Sequence, residues 1–435
     1  MFTRVFGRRR RTHWLAAAAF FTFDPLSASA QDGNGSTTTA QPAPPAILAR
    51  TPGLFTEPKV LVGAVDRITD KFGGNGTGRK KSGFYPELSN LQTGAGWISL
   101  GPGYRKYFAD DNIMVDTSAA VSWHLYNMAQ ATFEMPKLAD ERLILGAQGM
   151  WQDSTQVNYF GIGPNSLEAN RSLYRFQTHE VVGYATYLPR DWFAMGGSFG
   201  WIGRPKVLAP SGTFKPNFPD TTAVFPNDPG VSLPEQPPLL TSEAAVYSDT
   251  RDHRSYPTRG GLYRAALTHY IDQDTGVFSF RQWEAEGLQF IPVVSGKWTL
   301  ALHGWTVFGD VPVGHEIPFY LLPSLGGNNT LRSYNSYRFH DNNLLLVNGE
   351  SRLRVTEHID AAAFVDAGNV AGRFRNLNLD KTSVGAGLRL HTETATFARL
   401  DVAHGAEGWM VFFRTNDALR LGRLRRHVAL MPFAP

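Results

Sequence analysis

The sequence predicts an all-β protein, a transmembrane antiparallel β-barrel of roughly 14 to 16 strands with an inward-folded surface loop. Three observations predict it. The chain opens with an export signal, it contains no cysteine, and from about residue 94 apolar and polar residues alternate in short segments between turn clusters.

The N-terminus comes first. Arg4 and Arg8 to Arg11 form a basic region, "WLAAAAFFTF" at 14–23 is a short apolar run, and "ASA" at 28–30 is an A-x-A site. Residues 1–30 therefore read as a secretory signal peptide, too short in its apolar part to span a bilayer. They carry five arginines and one aspartate, a net +4 that equals the +4 of the whole chain, so the remainder is neutral. The basic balance belongs to the export signal, which removes the support for a nucleic-acid partner. An exported chain without cysteine has no disulfide framework, and no apolar run approaches the length of a transmembrane helix. An exported membrane protein of this kind crosses with strands.

Residues 31–93 read as a linker with one short helix. Gly, Ser, Thr, Gln, Ala and Pro dominate 31–53, a composition that favours disorder. In "PKVLVGAVDRITDKF" at 58–72, Leu61, Val65, Ile68 and Phe72 have helical spacing, with a strand as the alternative. "GGNGTGRKKSG" at 73–83 reads as loop.

Residues 94–414 read as the barrel. Candidate strands begin at Gly94, Arg142, Thr178, Trp192, Leu239, Gly261, Lys297, Asn348, Ala361, Ser383, Ala395 and Gly408. Residues 113–136 read as one long strand or two. Glu350, Arg352 and Arg354 share one strand face, opposite Ser351, Leu353 and Val355. Arg389 opposes Leu388 and Leu390, and Arg399 and Asp401 oppose Leu400 and Val402. A soluble sandwich and a membrane barrel both produce this alternation, with opposite faces turned to solvent. The export signal, the segment lengths and the many Trp and Tyr residues favour the barrel. Connections are tight at 188–192, 294–297 and 392–395 but long and Pro-rich at 205–238, as the two ends of such a barrel require. Residues 415–435 are a tail with Arg420, Arg423, Arg425 and Arg426.

Catalytic and metal motifs are weak. The twelve histidines are scattered without H-E-x-x-H. "GIGPNS" at 161–166 is followed by Leu167 and lacks the G-x-S-x-G of a nucleophile elbow, and "GAGWISLG" at 94–101 lacks the G-K-[ST] ending of a phosphate loop. The expectation is no enzyme and no cofactor.

The remaining motifs carry a resemblance. "LGGNNTLRSYNSYRF" at 325–339, "NGESRLRV" at 348–355, "FVDAG" at 364–368 and "GAGLRLHTETATFARLDVAHGAEG" at 385–408 follow one another in order, and "DTRDHRSYPTRGGLY" at 249–263 precedes them. In order and spacing these resemble the BamA/TamA family of outer-membrane barrels. The resemblance implies that the tetrapeptide Leu331, Arg332, Ser333 and Tyr334 is the tip of a surface loop folded into the lumen. It implies that Arg332 meets the F-x-D-x-G strand of Phe364, Asp366 and Gly368, near a lumen-facing pair Glu350 and Arg352. Arg354, Arg389, Arg399 and Asp401 would complete a lumen charge network, and the small Gly368 would leave room for the loop tip. Ser333 stands where the family has glycine. If that position needs positive φ, serine carries a backbone cost. The resemblance further implies assistance to protein insertion or translocation, with outer-membrane lipid, unfolded outer-membrane proteins and a separate periplasmic protein as partners. Residues 31–93 leave little sequence for a POTRA domain, the module by which such proteins receive clients. A porin-like channel with a loop plug is the alternative, and an outer-membrane lipid-modifying enzyme is a third reading.

Overall fold

The computed structural model describes residues 54, 82–87, 99–211, 217–254, 256–392, 396–414 and 419. The export signal and the helix expected at 58–72 lie outside the described residues, as does all of the tail except Leu419.

Among the described residues eighteen strands follow in chain order. The first nine are β1 (Gly83–Glu87), β2 (Ser99–Phe108), β3 (Ile113–Ser122), β4 (Asn127–Lys137), β5 (Leu143–Tyr159), β6 (Ser172–Arg190), β7 (Phe193–Leu208), β8 (Leu239–Asp249) and β9 (Gly260–Asp272). Then come β10 (Phe280–Val294), β11 (Trp298–Asp310), β12 (Ser324–Leu325), β13 (Phe339–His340), β14 (Asn343–Arg354), β15 (Ile359–Ala371), β16 (Lys381–His391), β17 (Thr396–Gly405) and β18 (Gly408–Arg414). Sixteen of them form one sheet in which every strand pairs with its neighbour in the chain, while β12 and β13 pair with each other inside the connection from β11 to β14. All the sheet ladders are antiparallel, for example Asn348 opposite Asp366 and Glu350 opposite Phe364 between β14 and β15. Residues 113–136 resolve into two strands, β3 and β4. The sheet also starts earlier than residue 94, because β1 occupies part of the stretch read as linker.

Burial settles which face points where. Leu388 is 49% exposed and Arg389 beside it 1%; Leu400 is 42% exposed and Asp401 0%. The charged face is the inside and the apolar face the outside, which is the inverse of a soluble sandwich and the arrangement of a membrane barrel. Trp283, Val365, Val384 and Val402 continue the outward apolar band. A charge placed on that face costs roughly 2–4 kcal/mol at mid-membrane depth.

The two ends differ as the turn lengths require. Connections 109–112, 138–142, 191–192, 295–297, 355–358 and 392–395 are short and lie at one end. Connections 160–171, 209–238, 311–342 and 372–380 are longer and lie at the other. There the long strands β5 and β6 carry Tyr159, Tyr174 and Phe176 into a buried cluster with Val231, Phe319 and Leu322 from the two longest connections. This packing closes over the long-loop end. Among the described residues no helix is long and apolar enough to cross a membrane.

Candidate functional site

The connection 311–342 brings its tip down to the inner face of β14 and β15. Gly326 and Gly327 both sit at positive φ, a backbone state that glycine adopts without steric cost. The Gly326 amide donates to Thr330 Oγ1 and the Gly327 amide to the Tyr334 carbonyl, which closes a compact turn. Leu331 and Tyr334 flank the tip and bury against Trp305, Leu344, Leu346 and Val370 of the wall. Between them Arg332 is turned the other way, toward the carboxylates.

Arg332 is 1% exposed and fully engaged. Its Nη2 donates to Asp366 Oδ1 at 2.7 Å and its Nε to Asp366 Oδ2 at 3.0 Å. Its own backbone amide reaches the same Oδ2 at 3.1 Å. Nη1 donates to Glu350 Oε2 at 2.8 Å. The guanidinium lies over the Phe364 ring, 3.4 Å from its centroid. The register explains the geometry. Glu350 faces Phe364 across the β14–β15 ladder and Asp366 lies two residues along the same face, so the two carboxylates bracket the ring. A planar fork with delocalised charge suits that frame better than an ammonium does.

The network continues across β16 and β17. Arg389 donates Nε and Nη2 to the two Glu350 oxygens at 3.1 and 2.8 Å, and Nη1 to Asp401 at 2.6 Å. Arg352 Nε adds a bond to Glu350 at 2.8 Å. Arg399 binds Asp401 and also returns to the loop, donating to the Asn328 carbonyl at 2.9 Å and Asn329 Oδ1 at 2.6 Å. Charge-assisted bonds of this kind are strengthened where water is excluded. The structure thus brings together Leu331, Arg332, Tyr334, Phe364, Asp366, Glu350, Arg352, Arg389, Arg399 and Asp401.

The structure adds detail at three of these residues. Arg354 lies at the short-turn end of β14, where Nη2 donates to Tyr256 Oη at 3.2 Å. Ser333 is not among the residues at positive φ, so it carries no left-handed strain; Tyr337 is the non-glycine residue of this loop that does, at φ 61°. Gly368 leaves room for Leu325 at the base of the loop, whose Cδ1 lies 3.1 Å from where a Cβ would stand, rather than for the tip. The tip is accommodated by Gly405, where a Cβ would stand 2.1 Å from Ser333 Oγ.

Sequence reasoning missed several partners. The Ser333 hydroxyl lies 2.7 Å from Ser383 Oγ, which also accepts the Ser333 amide at 3.0 Å. Asn348 donates to Asp366 at 2.8 Å and to the Thr330 carbonyl at 2.8 Å. Beyond it His303 contacts Asn348 and Glu286, and Arg264 pairs with Glu243 and Glu284. The signal was present as Glu284 and Glu286 two residues apart on β10. At the loop's outer end Arg338 donates to Glu407 in the β17–β18 turn at 2.5 Å and to Ser166 Oγ at 2.8 Å. In the 250–259 turn Tyr256 stacks on His391 with centroids 4.0 Å apart and donates to Asp360 at 2.6 Å.

Comparison with known proteins agrees with this fold. Residues 234–406 match the model of the Omp85 superfamily domain. The crystal structure of BamA from Haemophilus ducreyi lacking POTRA domains 1–3 is similar at a TM-score of 0.55 and 13% identity, covering 76% of this chain and 67% of that one. CdiB from Escherichia coli aligns at a TM-score of 0.48 and 11% identity over 76% of this chain and 61% of that one. CdiB from Acinetobacter baumannii aligns at 0.47 and 12% over 76% and 58%. The chain thus spans about three fifths of the CdiB chains. No curated protein matches the sequence. The matched domain contains the loop and the strands β14 to β16 that receive it, and the BamA likeness extends over the sheet. Residues 234–406 are thus similar to the Omp85 superfamily domain, and the sheet has the fold of a BamA-type barrel.

Proposed function

We propose that this chain assists insertion or translocation of protein at the outer membrane through a lumen held by the Arg332 loop and a working seam between β1 and β18. One observation carries the reading. The loop is fastened to β14 and β15 through Arg332, to β16 through Ser333 and to β17 through Asn328 and Asn329, so it braces the strands that lead to one edge of the sheet. Among the described residues β1 and β18 each have a ladder on one side, and they have five and seven residues. Edges with free ladder groups are templates for an incoming strand. An unfolded outer-membrane protein would add to that edge, a separate periplasmic protein would deliver it, and lipid would receive its apolar face. The lumen charges are committed to one another, which suits bracing rather than catalysis.

The experiment is insertion of a urea-unfolded eight-stranded outer-membrane barrel into proteoliposomes. Insertion faster than into empty liposomes, and slowed by Arg332→Ala, is the expected result. Equal rates with and without the protein would remove the insertase reading. The loop's position inside the lumen also suits a plugged channel. For that reading, planar-bilayer conductance would rise sharply in Arg332→Ala while insertion stayed at the empty-liposome rate.

A further inference from the structure

Two prolines meet at one edge of the sheet. β1 pairs with β2 so that Pro86 stands directly opposite Pro102. Facing residues of an antiparallel ladder either exchange both N–H···O bonds or turn their backbone groups away from each other. Proline has no N–H, so Pro86 and Pro102 are a pair of the second kind. The next ladder agrees. β2 pairs Leu100 with Val121 of β3, passes over Gly101 and Pro102, and resumes with Gly103 opposite Ser118. The nitrogen of Pro102 thus faces β3, and that of Pro86 faces the open side of β1. By alternation Gly83, Tyr85 and Glu87 turn their backbone to β2, while Phe84 and Pro86 turn theirs outward. One of these two outward residues has no donor.

The same strand is held in place by its inward side chain. Tyr85 Oη donates to Asp116 Oδ1 on β3 at 2.6 Å, two strands in from the edge. The Tyr85 ring lies against Gly103, where a Cβ would stand 2.2 Å from its Cζ. Arg105 pairs with Asp116 and sets its guanidinium 5.0 Å from the ring centroid.

The other edge is built differently. β18, GWMVFFR, contains no proline. Whichever way it alternates, three or four of its seven residues turn both an N–H and a C=O to the open side. Trp409, Val411 and Phe413 are exposed on its outer face. Inside a bilayer an unmatched backbone group has no water to turn to, so a strand added beside Pro86 would leave a carbonyl without a donor. Proline on an edge strand is a known means of stopping such addition.

We propose that β18 is the edge that accepts an incoming strand and that Pro86 makes β1 a blunted one. The inference rests on the insertion reading for the kind of partner and adds which side of the seam takes it. The direction of β18 specifies that partner. The β17–β18 turn lies at the long-loop end, so β18 runs toward the short-turn end, which is periplasmic in outer-membrane barrels. An antiparallel partner therefore starts at the periplasmic end and runs outward. That is the direction of the first strand of an even-numbered barrel whose termini are periplasmic; its last strand runs inward and would suit β1. The occupant is the first strand of an unfolded barrel protein, with alternate apolar side chains continuing the face of Trp409, Val411 and Phe413.

The chain has no cysteine, so single thiols report each edge. Phe84→Cys and Val411→Cys variants in detergent micelles are oxidised with two synthetic peptides. These are the first and the last strand of an eight-stranded outer-membrane barrel, each with one cysteine. The first-strand peptide is expected to cross-link at 411 about tenfold more than either peptide does at 84, as one hydrogen bond allows. Adding Pro86→Thr to Phe84→Cys is expected to raise cross-linking of the last-strand peptide at 84 by about the same factor. Equal cross-linking at 84 and 411 would overturn the proposal, as would no gain from Pro86→Thr in a protein whose strand circular dichroism is unchanged. A disulfide that joins 84 to 411 in a chain carrying both thiols, with no peptide trapped, would also overturn it, because β1 and β18 would then occupy each other. The peptides report the choice of edge without insertion. A protein that traps the first-strand peptide at 411 but leaves client insertion at the empty-liposome rate loses the insertion reading while the choice of edge stands.

Discussion

Replacing Arg332 with alanine tests which carboxylate depends on it. Glu350 loses one bond but keeps three charge-assisted donors, Arg352 Nε at 2.8 Å and Arg389 Nε and Nη2 at 3.1 and 2.8 Å. Asp366 loses its cation outright and keeps only two neutral donors, Asn348 Nδ2 at 2.8 Å and the residue-332 amide at 3.1 Å. Breaking a buried pair by removing one partner costs about 3–5 kcal/mol, because the other charge remains buried. That cost falls on Asp366. Adding Asp366→Asn to Arg332→Ala removes the stranded charge and is expected to recover about half of the loss, leaving the lost packing on Phe364. Adding Glu350→Gln instead strips Arg352 and Arg389 of their shared anion and is expected to deepen the loss by about 3 kcal/mol. Urea titration of the folded protein in micelles, followed by tryptophan fluorescence, reads both. Equal rescue by the two second substitutions, or none by Asp366→Asn, would refute the assignment of roles.

Three further outcomes follow from the same geometry. Asp366→Arg is expected to impair insertion activity, and adding Arg332→Asp to restore it only in part, because Glu350 still faces position 332; equal damage in single and double variants would reject the pairing. Ser333→Gly is expected to cost about 1 kcal/mol by losing the Ser383 contact, and Gly405→Ala about 1–3 kcal/mol by crowding Ser333 Oγ and the Thr382 carbonyl. A double-mutant cycle is expected to show partial rescue, since the Thr382 contact remains; strict additivity would contradict it. His340 lies buried in the loop region, its ring 5.2 Å from Tyr159, and burial pushes it down to about 3. A depressed histidine stabilises the fold above its unfolded value near 6.5. That stability falls by about 1.4 kcal/mol for each pH unit below it. Proteolysis of 311–342 is therefore expected to quicken from pH 7.5 to 5.5, and to lose that dependence in His340→Phe.

The alternating strands were legible because they rest on local pattern, whereas the pairing of Arg332 with Asp366 came only from the family resemblance. Period-two alternation placed Glu350, Arg352, Arg389, Arg399 and Asp401 on one face, and the motif order placed Arg332 against Asp366. Strand β10 was harder to see. Its inward Gln282, Glu284 and Glu286 oppose outward Trp283, Ala285, Gly287 and Gln289, so neither face reads as uniformly apolar. Contacts set by register across strands were invisible: Ser383 on β16 meets Ser333 only because it stands opposite Asp366. For Arg354, Tyr256 in a neighbouring turn supplies a partner that the strand pattern does not show.

Two charged attachments of the loop, at Arg332 and Arg338, differ in kind, and they separate bracing from gating. The Arg332 attachment is redundant: four arginines and three carboxylates share it across β14 to β17, so its rupture strands buried charge. The Arg338 attachment rests on one carboxylate. It reaches Glu407 in the turn that joins β17 to β18, and burial raises that carboxyl above the usual range, which makes the pair easier to discharge. On the function proposed above, opening at the seam would move the β17–β18 hairpin before β14 or β15. Motion of that hairpin is therefore expected to follow Arg338, while the lumen network stays intact. Hydrogen exchange distinguishes the two. Arg338→Ala is expected to speed exchange in β18 by about tenfold, as loss of a charged hydrogen bond worth roughly 1.5 kcal/mol implies, and to leave β14 and β15 unchanged. Faster exchange in all of these strands together would mean that the loop acts as one unit and that the two attachments cannot be told apart.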